Sequence, residues 1–426
     1  MTLTLLALLA QEDIRVTTDR TVDTRSLETI VRDVIRLSGA KTDDEKAIAI
    51  HTWLHQAIFH FAYPVEKGSS VGPLKVLNVY GWGLCGGQHT VLKALFETAG
   101  WPVRYRGWSD PGHTTIEVQY GGRWHYFDVF LKCYFWMKDR STIAGQDDII
   151  KDPSIVLDAL KDGRVPAQHY LCCGDDAPGI VQGCKNSKAL PPSKPSEGWA
   201  SVTGRDQGYS PALRLPHGAT LRLEWKSEPG KLAIDNKGSH SCGNKDFRSD
   251  PQLGPLLEHY GTRNHSNGTL VYEAKAVKAG EVVDLSLPYP YVSATVEGNA
   301  SLSTDGGKTW VAAAGDVSAL VRQRYDVRLR AEGTSLRLQA VVEHNRSVLP
   351  YLLPGKNAVK VEAPPGVSVT YAWQEATAPP TRKRWDGQGV SYGEPKTWRN
   401  VPGTFLLDVG GNTPPKMLYL EFSRVP

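Results

Sequence analysis

The sequence is poor in cysteine, and its cysteines are not spaced for a zinc site. Its 426 residues include six cysteines, none of them in a CxxC pair: Cys85, Cys133, Cys172, Cys173, Cys184 and Cys242. Six are too few for a disulfide scaffold in a chain of this length, and without CxxC pairs a structural zinc site has little support. The sequence therefore predicts neither a metal nor a cofactor.

The chain also lacks a strong charge excess, and its only long apolar run is at the start. The formal net charge is +4 and no basic stripe is clustered, so nucleic acid is not an expected partner. The long apolar run from Leu3 to Ala10 is too short for a transmembrane span. It resembles an export signal that ends at the small Ala10, although the basic residues that normally come first are missing. We expect export to the periplasm or the exterior; the alternative is a frayed apolar N-terminus.

What is present is a globular, turn-rich composition. Hydrophobic residues make up 40% and charged residues 22% of the chain, which also contains 41 glycines and 28 prolines. A prior of about 150 residues per domain gives two to three domains. Frequent glycine and proline accompany many turns and short strands, so we expect β-structure to dominate.

Apolar spacing in the first 200 residues predicts helices followed by strands. Helices are expected at 26–37, at 43–59 with Thr42 as N-cap, at 85–100 and at 147–160. Strands are expected at 103–108, 113–120 and 123–130. Gly121-Gly122 separates the last two and predicts a hairpin turn.

From residue 213 onward, apolar and polar residues alternate with the period of half-buried antiparallel strands. The alternating runs are LRLEW, EVVDLSL, YDVRLRA, SLRLQAVVEH, NAVKVEA and VSVTYAW. The predicted division is 1–12, a signal or apolar N-terminus; 13–200, an α+β domain; 201–363, a β-sandwich; and 364–426, a β region that is either separate or completes the sandwich.

Cys85 is the first candidate for chemistry. It lies in the segment from Gly81 to Gly87, whose small residues let a backbone approach closely, and a helical pattern begins right after it. A thiol at a helix N-terminus feels about half a positive charge, which favours the thiolate and lowers the pKa. Cys85 is therefore a candidate nucleophile; the alternative is a buried, inert cysteine in a glycine turn.

The predicted hairpin brings further polar residues together. With an even turn at 121–122, Asp128 lies opposite Thr115. His113 is two residues from Thr115 and shares its face, so Asp128 is its diagonal neighbour at about 5 to 8 Å. Glu117 is predicted to be presented on the same face. A one-residue bulge would break this parity.

Cys85, His113 and Asp128 together predict acyl-transfer chemistry. Such enzymes use a thiolate as nucleophile, an imidazole as base, and a carboxylate that fixes the imidazole tautomer.

Two other groups of histidines are weaker candidates for a functional site. His89, one turn after Cys85, leaves open a metal cluster of Cys85, His89 and His113. His51 and His55 have the spacing of a zinc helix without the glutamate of HExxH, so we interpret them as packed side chains.

Residues 40–135 resemble the transglutaminase-like superfamily of papain-related cysteine enzymes. The matching elements are, in order, Lys46 to Leu54, Gly83-Leu84-Cys85-Gly86, Gly100 to Arg104, His113 to Val118 and Trp124 to Asp128. The resemblance implies an α+β papain-like core with Cys85 as nucleophile, His113 as base and acid, and Asp128 as orienter. Thr115 and Val129 depart from residues common in the family without removing a catalytic group.

The expected fold class is thus α+β, a papain-like transglutaminase core followed by antiparallel β-sandwich domains. The expected function is thiol-dependent acyl transfer on amide bonds of a peptide or protein, as a peptidase, amidase or transamidase that forms a thioester. The oxyanion is expected to meet the Cys85 N–H and the Asn78 side chain. The rival interpretation is a catalytically silent extracellular binding or scaffolding protein that uses its β-domains.

Two predictions concern other segments. Ser303 to Trp310 resembles an Asp-box, a hairpin motif of extracellular β-proteins, and is interpreted as a stabilised turn or as a contact for a glycan or the cell surface. Cys172, Cys173 and Cys184 are placed in a polar loop, where an exported protein would oxidise one of the first two with Cys184.

Overall fold

The computed structural model describes residues 13–60, 64, 66, 71–109, 112–164, 177–190, 208–226, 265–377 and 390–425. They divide into two compact units. One is drawn from 24–209, the other from 13–23, 210–226 and 265–425. Residues 13–23 group with the second unit because strand β1 (Arg15–Thr18) pairs with strand Gly355–Glu362, a long-range pairing that the division at residue 200 did not foresee. That predicted boundary itself lies outside the described residues.

The first unit is α+β. Its helices are α1 (Leu27–Ser38), α2 (Asp43–Ala57), α3 (Pro73–Lys75), α4 (Cys85–Thr98), α5 (Gln146–Lys151), α6 (Ser154–Leu157) and α7 (Ala177–Lys185), with a π-helical turn at Val76–Tyr80. Its strands are β2 (Phe59–His60), β3 (Trp82–Gly83), β4 (Val103–Ser109), β5 (Gly112–Tyr120), β6 (Arg123–Phe127) and β7 (Ser187–Ala189). β6, β5, β4 and β7 form an antiparallel sheet in that order, and α4 packs on β5.

The predicted helix starts are confirmed. The hydroxyl of Ser26 accepts the N–H of Thr29 at 3.1 Å, and that of Thr42 accepts the N–H of Glu45 at 3.2 Å. Each side chain thus satisfies one of the N–H groups that a helix leaves unpaired at its start. At the other end of α1, Gly39 has φ 70°, a left-handed conformation that glycine adopts without strain.

Two predicted elements are too long. The strand expected at 123–130 ends at Phe127 because the chain turns at Asp128, whose backbone exchanges hydrogen bonds with Cys133 at 2.9 and 3.0 Å. The helix expected at 147–160 is instead the two short helices α5 and α6. Pro153 disfavours a helical conformation at Asp152, which has φ −133° and ψ 87°, and so separates them.

The second unit is built from antiparallel strands. They are β8 (Ala219–Glu224), β9 (His265–Ala274), β10 (Val282–Asp284), β11 (Tyr291–Ser303), β12 (Val311–Asp316), β13 (Arg328–Ala331), β14 (Leu336–Asn345), β15 (Gly355–Glu362), β16 (Val367–Ala376), β17 (Tyr392–Asn400), β18 (Gly403–Val409) and β19 (Lys416–Arg424), with one helical turn, α8 (Ser318–Val321). β1, β15 and β18 form one sheet. The other follows the order β10-β13-β11-β14-β9-β8-β19-β16-β17, with β12 on β11.

The described residues in 364–377 and 390–425 add four strands to these two sheets. β16, β17 and β19 extend the larger sheet, and their apolar side chains, such as Val369 and Phe422, share a hydrophobic core with Leu221 and Leu338. The described part of this segment therefore shares sheets and a core with the strands before it, and the division into domains stays a prediction.

The Asp-box segment forms the turn between β11 and β12. The Asp305 carboxylate accepts the hydroxyls of Ser303 and Thr309 at 2.8 and 2.6 Å, and the N–H groups of Lys308 and Thr309 at 3.0 and 2.9 Å. These bonds hold the pKa of Asp305 well below its usual range. A carboxylate engaged in this way stabilises a turn, as one of the two interpretations expected.

Candidate active site

Cys85 begins α4, and its side chain is partly exposed. The preceding Leu84 is extended and gives the helix no side-chain cap. The thiol instead lies near the imidazole of His113 and the backbone N–H groups of Thr114 and Gly86. Burial raises the pKa of this thiol, but the hydrogen-bonding capacity of these neighbours and the charge of His113 outweigh that effect, so its pKa lies below the ordinary value.

The hairpin that carries the other two residues has the predicted register. Gly121 and Gly122 have φ 55° and 74°, as a type I′ turn requires, and Ile116 pairs with Phe127. No bulge interrupts the pairing between β5 and β6, so Asp128 follows the ladder on the side expected from the sequence.

His113 and Asp128 are in direct contact. Nε2–H of His113 donates to Oδ2 of Asp128 at 2.6 Å, and the aspartate side chain is wholly buried. Oδ1 of Asp128 accepts the N–H of Leu131 at 2.8 Å, and the hydroxyl of Tyr126 donates to Oδ2 at 3.1 Å. Since Nε2 is engaged, Nδ1 is the ring nitrogen of His113 available to Cys85.

The pKa values of the two partners move in opposite directions. Burial disfavours the charged form of each, but the mutual attraction of imidazolium and carboxylate outweighs it, so the pKa of Asp128 falls and that of His113 rises. The Cys85 thiolate raises the pKa of His113 further. The arrangement favours a thiolate, an imidazolium and a carboxylate in a row.

Aromatic rings enclose the imidazole of His113. The ring centroids of Trp108 and Phe130 lie 5.0 and 5.3 Å from it. Trp108 is held by α7, where a Cβ on Gly183 would lie 2.1 Å from the indole ring. Such close packing fixes the rotamer of His113 next to Cys85.

His89 also lies at the site, among other partners than those of the metal cluster that the sequence left open. It groups with His113 and Asp128, with one potential ligand atom of each within 4.8 Å of the others, rather than with Cys85 and His113. Each of these three side chains already has hydrogen-bond partners in the protein. The cluster is thus organised as a hydrogen-bonded network.

His51 is buried, as interpreted from the sequence, and it also supports the site. Its Nε2–H donates to the carbonyl oxygen of Asp128 at 2.9 Å, and its ring packs against Phe127 and Tyr134 at centroid distances of 5.4 and 5.7 Å. No role at the site was predicted for His51 itself, because only the fold brings residue 51 next to residue 128.

Three expectations about nearby side chains are wrong. Asn78 has no spare donor for an oxyanion, because its Nδ2 donates to the carbonyls of Thr24 and Leu74, both at 2.9 Å. Glu117 is buried instead of presented, and its carboxylate accepts Nε–H of Arg104 at 2.8 Å. Cys184 lies buried in α7 and not in a polar loop. Its expected partners Cys172 and Cys173 lie outside the described residues, so the disulfide stays a prediction.

Known proteins were compared with the chain. Residues 29–137 match the family model described as the transglutaminase-like superfamily. No curated protein matches. Among solved structures, the pilus backbone (RrgB) from Streptococcus pneumoniae is similar over 38% of this chain and 71% of its own, with 10% identity and a TM-score of 0.13. A TM-score that low supports no conclusion on fold or function.

The resemblance recognised in the sequence is thereby confirmed for the segment that carries Cys85, His113 and Asp128. The superfamily points to cysteine-based catalysis in general. Within the part of the chain that the structure describes, no helix is long and apolar enough to cross a membrane.

Proposed function

We propose that this protein is a cysteine-dependent acyl-transfer enzyme that acts on amide bonds of peptides or proteins. One observation carries the proposal: the thiol at the start of α4 lies near an imidazole that lowers its pKa, and Nε2 of this imidazole is held by a buried carboxylate. Nucleophile, base and orienter are the three parts that this chemistry needs.

In the proposed reaction the Cys85 thiolate attacks the carbonyl carbon of the amide. The resulting oxyanion is stabilised by N–H groups at the start of α4, the Cys85 N–H among them, since the first N–H groups of a helix have no partner within it. His113, as imidazolium, gives its proton to the leaving nitrogen, and the C–N bond breaks to leave a thioester on Cys85.

The thioester is then resolved by water or by an amine. His113, now neutral, takes a proton from the attacking group, and the thiolate leaves. Water gives a carboxylic acid and makes the protein a peptidase or amidase; an amine gives a new amide and makes it a transamidase. Asp128 holds the imidazole in one orientation throughout and stabilises its positive charge.

The test compares the full chain with Cys85→Ala and Asp128→Asn on a library of peptides and glutamine donors. Released ammonia, new amines and crosslinked mass are scored with and without an added primary amine. Asp128→Asn should fold yet lose turnover by about 10⁴-fold, as the equivalent change does in a serine triad, and Cys85→Ala should form no covalent intermediate.

A control separates an effect on chemistry from an effect on the fold. Cys184 is buried, and burial raises the pKa of its thiol, so Cys184→Ala should retain activity. If wild type and Cys85→Ala behave alike on every donor, the protein is better explained as a scaffold that uses its β-unit. Export, and contact with a glycan or the cell surface, stay predictions. Locating the expressed protein in the secreted, cell-bound and intracellular fractions would test them.

A further inference from the structure

His89 forms a bridge between the nucleophile and the segment after Asp128. Its Nδ1–H donates to the carbonyl oxygen of Cys85 at 2.7 Å, and its Nε2 accepts the N–H of Val129 at 3.2 Å. The side chain is wholly buried. Because a backbone N–H can only donate, the lone pair of Nε2 must face Val129, and the proton of the neutral ring must be on Nδ1.

His89 lies close to both charged partners, Asp128 and His113. Its Nε2 lies 3.6 Å from Oδ1 of Asp128, and its ring centroid lies 5.6 Å from that of His113. Two imidazoles therefore compete for one carboxylate. Protonating His89 would turn a second N–H toward that of Val129 and break the bridge, whereas protonating His113 preserves its bond to Asp128.

The surroundings favour the same distribution of charge. Burial lowers the pKa of His89 to about 4. The attraction of the Asp128 carboxylate opposes this effect, and the positive charge of His113 adds to it. The ionisable groups that face it among the described residues are Cys85 on its own helix, His113 on β5 and Asp128 after β6. Environments that separate two neighbouring histidines in this way assign them different roles.

We propose that His89 is a positioning residue: its neutral imidazole fixes the Asp128 segment through Val129 and leaves His113 as the single imidazole that carries the catalytic proton. The inference rests on the proposed function, since it concerns the same Cys85. The Val129 bond is the decisive one, because it holds the backbone on which Asp128 is mounted, while the Cys85 carbonyl is already part of a regular helix.

Two substitutions separate the two ends of the bridge. In His89→Gln, Oε1 is as many bonds from the backbone as Nε2 of histidine, so it can accept the Val129 N–H. In His89→Asn, Nδ2 takes the place of Nδ1 and can reach only the Cys85 carbonyl. His89→Ala removes both. None of the three replacements titrates, so each also leaves His113 without a competing imidazole.

His125 provides the matched control. It is a buried histidine of β6 that also bridges two backbone groups, with Nδ1 2.6 Å from the Ile143 carbonyl and Nε2 3.0 Å from the Tyr120 carbonyl. Neither contact involves Cys85, His113 or Asp128. His125→Ala should therefore lower thermal stability, as His89→Ala should, without changing the chemistry of the thiol.

The experiment measures the rate of Cys85 alkylation against pH, together with kcat/KM and the melting temperature of the full chain. His89→Ala and His89→Asn should raise the apparent pKa of Cys85 by on the order of one unit, because a displaced Asp128 stabilises the imidazolium less. Their kcat/KM should fall about 10- to 100-fold, and His89→Gln should restore most of both.

The outcomes are distinguishable. If the profile of Cys85 is the same in wild type, His89→Asn and His89→Gln, or if His125→Ala moves it as much as His89→Asn does, the inference is overturned while the proposed function stands. Should His89→Ala fail to fold, the Asn and Gln variants decide alone. If wild-type Cys85 itself has an ordinary thiol pKa, the proposed function fails, and the role of His89 fails with it.

Discussion

The hydroxyl of Tyr126 donates to Oδ2 of Asp128 at 3.1 Å, the same oxygen that accepts the Nε2–H of His113. Two donors thus converge on one oxygen, and the Leu131 N–H binds the other. The carboxylate is held by three bonds, which is how it can fix the imidazole without moving itself.

Removing one of these donors should weaken catalysis without abolishing it. Tyr126→Phe leaves His113 and Leu131 bound to Asp128, so we expect turnover to fall about tenfold and the unfolding free energy to fall by about 1 kcal/mol. Tyr120→Phe is the control, since Tyr120 lies in the same hairpin but donates to Asp44 of α2 at 2.6 Å. Equal losses of turnover in the two variants would contradict the role assigned to Tyr126.

The pH dependence follows from the opposed pKa values of Cys85 and His113. The thiol pKa is lowered and the imidazole pKa is raised, so the thiolate–imidazolium pair exists between them. The rate of Cys85 alkylation should therefore already be maximal at pH values below the free-thiol pKa of about 8.5. It should decline only at the lower pH at which the thiolate is protonated. Acylation of Cys85 should decline again at high pH, when His113 loses its proton.

Peptide mapping of the alkylated protein provides the internal comparison. The buried Cys184 has a raised pKa and should be modified only after unfolding. A profile in which Cys85 titrates at or above about 8.5, or in which Cys184 reacts first, would show that His113 and the start of α4 do not activate the thiol.

Gly183 tests the packing around His113. A Cβ at this position would lie 2.1 Å from the ring of Trp108, so Gly183→Ala must displace the indole that packs on His113. Overpacking of this kind costs about 1 to 3 kcal/mol, and we expect turnover to fall with it. Gly112→Ala, where a Cβ meets no atom within 4 Å, measures the effect of an added methyl group alone. Unchanged stability in Gly183→Ala would contradict the contact.

The β-unit should lose stability in acid because of His344. Burial lowers the pKa of this histidine to about 3. The unfolded chain, with a pKa of about 6.5, then binds the proton first, so stability falls as the pH drops from about 6.5 toward 3. Hydrogen exchange of β9 and β14 at pH 7 and pH 4.5 should show this loss, and His344→Phe should reduce it. An identical pH dependence in the variant would exclude His344 as its cause.

The hairpin was predictable because its signals are local. Gly121-Gly122 sets an even turn, and the alternation of side chains then places His113 and Asp128 on one face. The starts of α1 and α2 were predictable for the same reason, since each cap involves residues three apart in the sequence.

The missed features depend on contacts between distant residues. Asn78 faces Thr24, and His51 faces Asp128, and no local pattern announces either pair. In β9, Asn267-Gly268 has the composition of a turn but lies inside a strand. A Cβ on Gly268 would lie 2.9 Å from the Arg222 carbonyl, so glycine serves there to let neighbouring strands approach.

Trapping the acyl group on the protein tests most directly whether Cys85 is the nucleophile that forms a thioester. Wild type, Cys85→Ala and Cys184→Ala are treated with activated acyl donors and, in parallel, with an activity-based thiol probe. Each reaction is quenched in acid and analysed by intact mass and peptide mapping. We expect one added acyl group on wild type and on Cys184→Ala, located on the peptide that contains Cys85, and none on Cys85→Ala. Labelling of Cys85→Ala as fast as wild type, or no thioester from any donor, would contradict it.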